Sequence, residues 1–189
     1  MGRPRNDSTE IPATEKIENS FWKVLETEGY KSITILRLSQ ESGVNKNSIY
    51  YYYDNIEDIA KKVFEHNTNN QIADMFLSAI LTNDSNLILD ENMLQNVKRI
   101  HLLAGSESSF LHSLVSKSLI DTWVKKLNID YDKLSESELI AIKFLSSGVT
   151  SMLGDKNILN NHAAIRAFPF TPLGQAAIQT LKNMPHKDE

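Results

Sequence analysis

The sequence predicts an all-α protein of about nine helices, and three observations support that fold class. Apolar residues recur at every third or fourth position through most of the chain, which is the period of an amphipathic helix. The 189 residues include only seven Gly and five Pro, too few for a β architecture with many loops. Helix start signals also precede periodic segments, for example Ser135 followed by Glu138 three residues later, the pattern of a capping box.

The composition is that of a soluble globular protein, with 41% hydrophobic and 23% charged residues. The chain has no cysteine, which excludes disulfides and thiolate metal sites and fits a reducing cytoplasm. The first residues lack the apolar segment of a secretion signal, and no apolar run is long enough to span a bilayer. We therefore expect a cytoplasmic protein that has no membrane partner, requires no cofactor and holds no metal.

The formal net charge is −4, the wrong overall sign for a protein that coats nucleic acid. Phosphate attraction is local, however, because it is screened over about 10 Å. Between Lys31 and Tyr53 the charged residues are Lys31, Arg37 and Lys46 against Glu41 alone. This modest basic patch on an acidic protein suits site-specific binding better than nonspecific binding.

The amino-terminal region is predicted to contain a tail and one helix. Residues 1–9 form a basic tail, which we expect to be solvated, although an arm in a DNA minor groove is the alternative. The first helix should run from Pro12, a residue suited to a first turn, to Glu28, with Gly29 as its carboxy-terminal cap. Its inward stripe consists of Ile17, Phe21, Val24 and Leu25.

Residues 34–53 have the layout of a helix-turn-helix. Thr34 can cap a short helix whose inward face includes Ile35 and Leu38, with Leu36 as a further candidate. Gly43 supplies the backbone freedom for a sharp turn, and Val44 can pack that turn onto the core. A second helix follows with polar residues at its start. In such a motif the second helix enters the DNA major groove.

A longer run of residues resembles the amino-terminal domain of TetR-family transcriptional regulators. The resemblance extends roughly over residues 10–66 and rests on Gly29-Tyr30, Thr34, Leu38-Ser39, Ser42-Gly43-Val44, Ser48-Ile49-Tyr50, Tyr52-Tyr53 and Glu57-Asp58-Ile59. It implies a helix-turn-helix DNA-binding domain over residues 10–60 and a helical effector-binding and dimerisation domain over residues 61–189.

The resemblance also implies specific DNA contacts. Base edges would be read from the start of the second motif helix, by Asn45, Lys46, Asn47 and Ser48. Contacts with bases or backbone are implied for Tyr50 and Tyr51, and with phosphate for Tyr52, Thr34 and Arg37. Asn can pair with adenine, Lys can donate to guanine, and Tyr hydroxyls can bond phosphate oxygens. Four consecutive tyrosines cannot all face one way on a helix, so we expect Tyr53, with Ile49, to pack inward.

Two positions depart from the pattern of the family. Many relatives carry a lysine where this chain has Ile56, at the start of the fourth helix, and that lysine binds backbone phosphate. Asn47 likewise stands where glycine is common. The first departure removes a charged contact, and the second is expected to alter recognition.

The rest of the chain is predicted to be helical. The fourth helix, capped by Asp54 or Asn55, should reach from about Ile56 to Leu81, and the polar run at 83–86 should form a loop. Further helices are predicted over residues 91–103, 108–127, 135–153 and 172–184. Small residues at 146–148 permit close helix approach. The resemblance implies that the last two of these helices form a dimer interface, although an ordinary buried helix is the alternative for residues 135–153.

An effector pocket within the second domain is implied by the resemblance alone. Its candidate residues combine apolar bulk with a polar group: His101, His112, Trp123, Tyr131 and His162. Each of them is also explained by packing or by a surface position.

The sequence therefore predicts a regulator and no enzyme. It contains no HExxH, no phosphate-binding glycine loop and no nucleophile elbow, so no catalytic residue is assigned. We expect a homodimeric repressor that binds a palindromic double-stranded operator and is released by a small-molecule effector. The alternative is a helical DNA-binding regulator without such an effector, controlled by a protein partner.

Overall fold

The computed structural model describes residues 11–67, 77, 91–159 and 167–187. Over these residues the chain is helical, and its extended structure is limited to one antiparallel bridge between Ile129 and His186. The predicted all-α class is therefore confirmed. The chain divides into two compact units between Val63 and Phe64. The predicted basic tail, the loop at 83–86 and His162 lie outside the described residues.

The first unit contains the helix-turn-helix. Its helices are α1 (Ala13–Glu28), α2 (Ile35–Ser42), α3 (Lys46–Tyr52) and α4 (Ile56–Asn67), the last of which continues into the second unit. A short 3₁₀ turn, Tyr30–Ser32, joins α1 to α2. The fourth helix was predicted to reach about residue 81; beyond Asn67 the structure describes only Leu77 of that stretch, which is helical.

The core of the first unit is formed by the predicted stripe of α1 and residues of the other three helices. The fully buried members are Ile17, Phe21, Val24, Leu38, Ile49, Ile59 and Val63. Each such side chain stabilises the fold by about 1.5–3 kcal/mol relative to exposure. Leu36, a candidate for the inward face of α2, is 50% exposed and lies on the outer face instead. Tyr53 is buried as predicted, and its hydroxyl donates to Glu18 Oε1 at 3.4 Å.

The second unit contains the remaining helices. These are α5 (Glu91–Ala104), α6 (Ser109–Lys126), α7 (Glu136–Gly154), the short α8 (Lys156–Leu159) and α9 (Pro172–Lys182). Three of these helices begin with a side-chain cap, and the one at Ser135 is the predicted capping box. Ser108 accepts from the Leu111 N–H, Ser135 forms the capping box with Glu138, and Thr171 accepts from the Gly174 N–H. The four predicted helical segments are thus confirmed to within a residue or two at most of their ends.

A second hydrophobic core holds these helices together. Its buried members are Leu77, Leu119, Trp123, Ile129, Leu134, Ile142, Leu181 and Met184. The end of α7 lies against the end of α5, where a Cβ added to Gly154 would be 2.6 Å from the Ala104 carbonyl oxygen. The segment after α9 is fixed to the turn after α6, because Asp130 donates its N–H to the Pro185 carbonyl at 2.8 Å.

Candidate nucleic-acid interface

Local hydrogen bonds fix α2 and the turn that follows it. The Thr34 hydroxyl oxygen accepts from the Arg37 N–H at 3.0 Å, as its predicted capping role requires. Gly43 adopts a left-handed conformation with φ 70° and donates its N–H to the Ser39 carbonyl at 3.1 Å. The Ser42 hydroxyl then accepts from the Val44 N–H at 3.1 Å, and Val44 is half-buried. The direction in which α3 leaves the turn is thereby set.

Asn45 precedes α3, and its side chain caps the amino terminus of that helix. Its Oδ1 atom accepts from the Ser48 N–H at 2.8 Å, the bond of a helix amino-terminal cap. A bidentate pair with adenine needs both the oxygen and the NH₂ of an asparagine. The cap uses one of the two lone pairs of this oxygen and holds the amide against the start of α3, so a bidentate pair with adenine would compete with the cap. Base reading by Asn45 stays a prediction, and the side chain of Asn47 is exposed beside it.

The outer surface of α3 begins with a shallow polar depression. Its lining residues are Asn45, Lys46, Asn47, Ser48 and Tyr51. Lys46 and Asn47 are exposed and Ser48 is half-buried, whereas Ile49 on the opposite face is completely buried. The structure thus brings the four residues predicted to read bases together on one face, and one of the predicted tyrosines joins them.

The four consecutive tyrosines divide into two groups, as the helical period predicted. Tyr50, Tyr51 and Tyr52 are 58%, 82% and 40% exposed, whereas only 3% of Tyr53 is exposed. The rings of Tyr51 and Tyr52 meet edge to face, with their centroids 5.0 Å apart. Three phenol groups therefore lie on the solvent side of α3, where their hydroxyls can donate to phosphate oxygens.

The guanidinium of Arg37, which was predicted to contact phosphate, is bonded to two carboxylates of the protein. Its Nη2 atom donates to Glu28 Oε1 at 2.7 Å and to Glu41 Oε2 at 2.8 Å, and its Nε atom donates to Glu28 Oε1 at 3.0 Å. The bonds to Glu28 and then to Glu41 raise the pKa of Arg37. Glu41 also pairs with Lys23, and hydrogen bonds from Lys23 and Arg37 lower the pKa of its carboxyl. Arg37 therefore joins α2 to the end of α1, and a phosphate would have to compete with two carboxylates.

The junction between α3 and α4 holds a lysine that was not assigned from the sequence. The Lys62 ammonium donates to the Tyr52 carbonyl oxygen and to Asp58 Oδ2, both at 3.0 Å. It also lies 5.0 Å from the centroid of the Tyr53 ring. The only signal in the sequence is the four-residue spacing of Asp58 and Lys62, which predicts an ion pair on one helix and not the bond to α3.

The amino terminus of α4 is capped by Asn55, one of the two predicted caps. The Asn55 Oδ1 atom accepts from the Asp58 N–H at 2.9 Å. Ile56, which stands where many relatives carry a lysine, is the first helical residue and is half-buried. The start of α4 thus presents no ammonium at that position.

The predicted effector residues lie on several elements of the second unit. His101 on α5 has its Nδ1 atom 2.8 Å from the Leu153 carbonyl oxygen, and Trp123 on α6 belongs to the hydrophobic core. His112 is half-buried on α6, and Tyr131 is 37% exposed in a 3₁₀ turn. His162 lies outside the described residues. The described part of the chain contains no group of side chains able to hold a metal, and none of its helices is long and apolar enough to cross a membrane.

Comparison with known proteins gives one match, and it falls on this interface. Residues 22–63 match the family model described as bacterial regulatory proteins, tetR family. The matched segment runs from within α1 through α2, α3 and the first two turns of α4. Neither the curated proteins nor the solved structures gave a match.

Proposed function

We propose that the chain is a homodimeric repressor of transcription of the tetR family of bacterial regulatory proteins, whose family model matches residues 22–63. This match supports a DNA-binding transcriptional regulator directly. In the proposed mechanism, two copies bind a palindromic operator in the cytoplasm until a small-molecule effector releases them. The outer surface of α3 is the observation that carries the proposal.

The chemistry of α3 fits the reading of base edges in a major groove. Lys46 offers an ammonium that can donate to guanine O6 and N7, and the exposed Asn47 amide can pair with adenine N6 and N7. Tyr50 and Tyr51 expose hydroxyl groups beside them, which can fix the register by bonding to phosphate oxygens. The Ser48 hydroxyl, in the first turn of α3, can bond to a base edge, and the Thr34 hydroxyl at the start of α2 can donate to a phosphate oxygen.

An exposed apolar face on α7 supports the proposed dimer. Ile140 and Phe144 are 69% and 73% exposed, and Ser147, Gly148 and Ser151 continue the same face along the helix. The opposite face, at Ile142, Ser146 and Thr150, is buried within the subunit. On α9, Leu173 is 64% exposed. Exposed apolar patches of this kind mark interaction sites, and a second copy of the chain is the partner that a palindromic operator requires.

The DNA-binding proposal is tested by selection of random DNA with the purified full-length protein. We expect an enriched palindrome whose half-sites lie about one helical turn, or 34–36 Å, apart. Lys46→Met and Asn47→Ala should each cost about 1–3 kcal/mol of discrimination at one base position. Lys125→Met, which removes an exposed charge from α6, is the matched control and should leave the preference unchanged. Recovery of no palindrome would contradict the proposal.

A second experiment separates the small-molecule effector from control by a protein partner. Compounds that raise the melting temperature of the free protein are tested for release of the selected operator. A ligand that binds the folded free protein stabilises it by RT ln(1 + [L]/Kd). If the ligand lowers operator affinity by a given factor, bound operator must lower the affinity for the ligand by the same factor. If a protein changes operator affinity and no compound does, the proposal of a small-molecule effector is wrong, and control by a protein partner is supported.

A further inference from the structure

The carboxy-terminal end of α3 is bonded to α4 by one side chain. The Lys62 ammonium donates to the main-chain carbonyl of Tyr52, the last residue of α3, and to the carboxylate of Asp58 one turn earlier on α4. The same ammonium lies over the Tyr53 ring. Three groups from two elements therefore share a single cation.

The Lys62 ammonium lies at the carboxy-terminal end of α3, where a positive charge stabilises a helix. The last carbonyls of a helix have no intrahelical N–H partner, and the helix dipole places negative partial charge there. Because α3 contains only seven residues, a hydrogen bond at its carboxy-terminal end adds to the turn before it and to the buried Ile49 in fixing its direction. An isolated helix of that length is not stable, so its orientation depends on such tertiary contacts.

Asp58 holds the lysine in place. Its Oδ2 atom accepts from the Lys62 ammonium and also from the Asp54 N–H at 3.1 Å. Partial burial opposes ionisation of Asp58, but the bonds from the Asp54 N–H and from Lys62 outweigh it and lower the pKa of the carboxyl. The carboxylate stays ionised at neutral pH and orients the ammonium toward the Tyr52 carbonyl.

We infer that Lys62 is a positioning residue for operator reading, because its bond to the Tyr52 carbonyl makes the direction of α3 depend on α4. Lys62 lies immediately before Val63, where the first unit ends, and α4 continues to Asn67 in the second unit. The inference rests on the proposed function, since it assigns a role in the same DNA site.

A positioning role differs measurably from a phosphate contact. A lysine that binds phosphate contributes equally to specific and to random DNA, and its loss lowers the salt dependence of binding by about one counterion. A lysine that orients α3 affects only the contacts with base edges, because these require α3 to lie in the correct position in the groove. Its loss therefore lowers the ratio of operator affinity to random-DNA affinity.

The experiment measures that ratio with the full-length protein on the selected operator and on random duplex DNA of equal length. The variants are Lys62→Met and Lys62→Arg, with Lys61→Met as the matched control that removes the same charge one residue away. We expect Lys62→Met to lower the ratio at least tenfold and to leave the salt slope equal to that of Lys61→Met. Lys62→Arg should restore most of the ratio, because a guanidinium can donate to both the Tyr52 carbonyl and Asp58.

Three results overturn the inference. Equal losses on operator and random DNA, with a reduced salt slope, make Lys62 a phosphate ligand. A ratio for Lys62→Met equal to that of Lys61→Met removes its positioning role and leaves the proposed function intact. Failure of the wild-type protein to select any operator contradicts the proposed function and the inference together. If Lys62→Met does not fold, Asp58→Ala decides, since loss of the accepting carboxylate should also lower the ratio, and an unchanged ratio overturns the inference.

Discussion

What a single side chain can do at the DNA surface depends on the bonds it already makes within the protein. Asn45 and Asn47 are the same residue type two positions apart on one exposed edge, yet they differ in this respect. The Asn45 carbonyl oxygen is bonded to the Ser48 N–H, whereas Asn47 lies within α3 with its side chain exposed. Asn45 therefore stabilises α3, and in the proposed function Asn47 is the asparagine that we expect to recognise a base.

This difference predicts opposite results for two alanine variants. Asn45→Ala should lower the free energy of unfolding by about 1 kcal/mol, because a helix cap is lost, and should weaken binding to every operator variant alike. Asn47→Ala should leave stability unchanged or slightly raised, since alanine has the higher helix propensity, and should relax the preference at one base pair. Denaturant unfolding and binding to operators altered one position at a time provide the measurements. A base-specific defect in Asn45→Ala would contradict this division of roles.

Arg37 shows where inference from the sequence reaches its limit at the residue scale. Its position at the start of α2 indicated a phosphate contact, and its bonds to Glu28 and Glu41 were not foreseen. Glu41 is one turn away on the same helix and could have been found from the four-residue spacing. Glu28 lies at the end of α1, nine positions earlier, and only the angle between the two helices brings it within 2.7 Å. The spacing of apolar residues within each helix gives no information about the angle between α1 and α2.

At the scale of whole elements, the sequence predicted the boundaries well because helix ends are set locally. The caps at Thr34, Ser135 and Thr171 each bond to a backbone N–H three residues later, so every partner lies within the same short segment. The inward faces followed from the helical period in the same way. What the sequence could not supply is which helices touch and how closely, because such contacts join distant segments.

The approach of α5 to α7 is one such contact, and it predicts a sharp difference between two glycines. In Gly154→Ala the new Cβ would meet the Ala104 carbonyl at 2.6 Å, so backbone must shift and stability should fall by about 1–3 kcal/mol. Gly148 on the same helix has no atom within 4 Å of a built Cβ among the described residues. Within a single subunit, Gly148→Ala should therefore raise helix stability by about 1 kcal/mol.

Denaturant unfolding of both variants at one protein concentration checks this prediction, with sedimentation to confirm a common assembly state. The comparison holds helix and residue type constant, so it isolates the contact with α5. Equal stability of the two variants would mean that the ends of α5 and α7 are not packed as closely as the structure shows.

At the scale of the whole molecule, the balance of charge favours site-specific DNA binding over nonspecific DNA binding. The chain is acidic overall, and even its local positive excess is partly neutralised, because Arg37 is paired with two carboxylates. Between Lys31 and Tyr53 the positive excess is therefore small, and nonspecific affinity should be low. Strong operator binding would then need two subunits acting together, since linking two weak contacts multiplies their effect.

In the proposed function, two subunits would pair through the exposed face of α7. Phe144→Asp places a charge where Phe144 is 73% exposed in the single subunit, so the fold of the subunit should be retained. In a dimer the same charge would be buried without a partner, which costs several kcal/mol for each subunit. We expect sedimentation to show a monomer, and operator affinity to fall at least a hundredfold while each subunit keeps its helical content.

The matched control is Leu94→Asp, which introduces the same charge at a 53% exposed leucine on α5. It should leave assembly and operator affinity unchanged, because α5 lies outside the proposed interface. Operator affinity should also become dependent on protein concentration in Phe144→Asp, since two monomers must then meet on the DNA. A monomeric wild-type protein with high operator affinity, or a Phe144→Asp variant that stays dimeric, would place the interface elsewhere and remove the link between α7 and the palindrome.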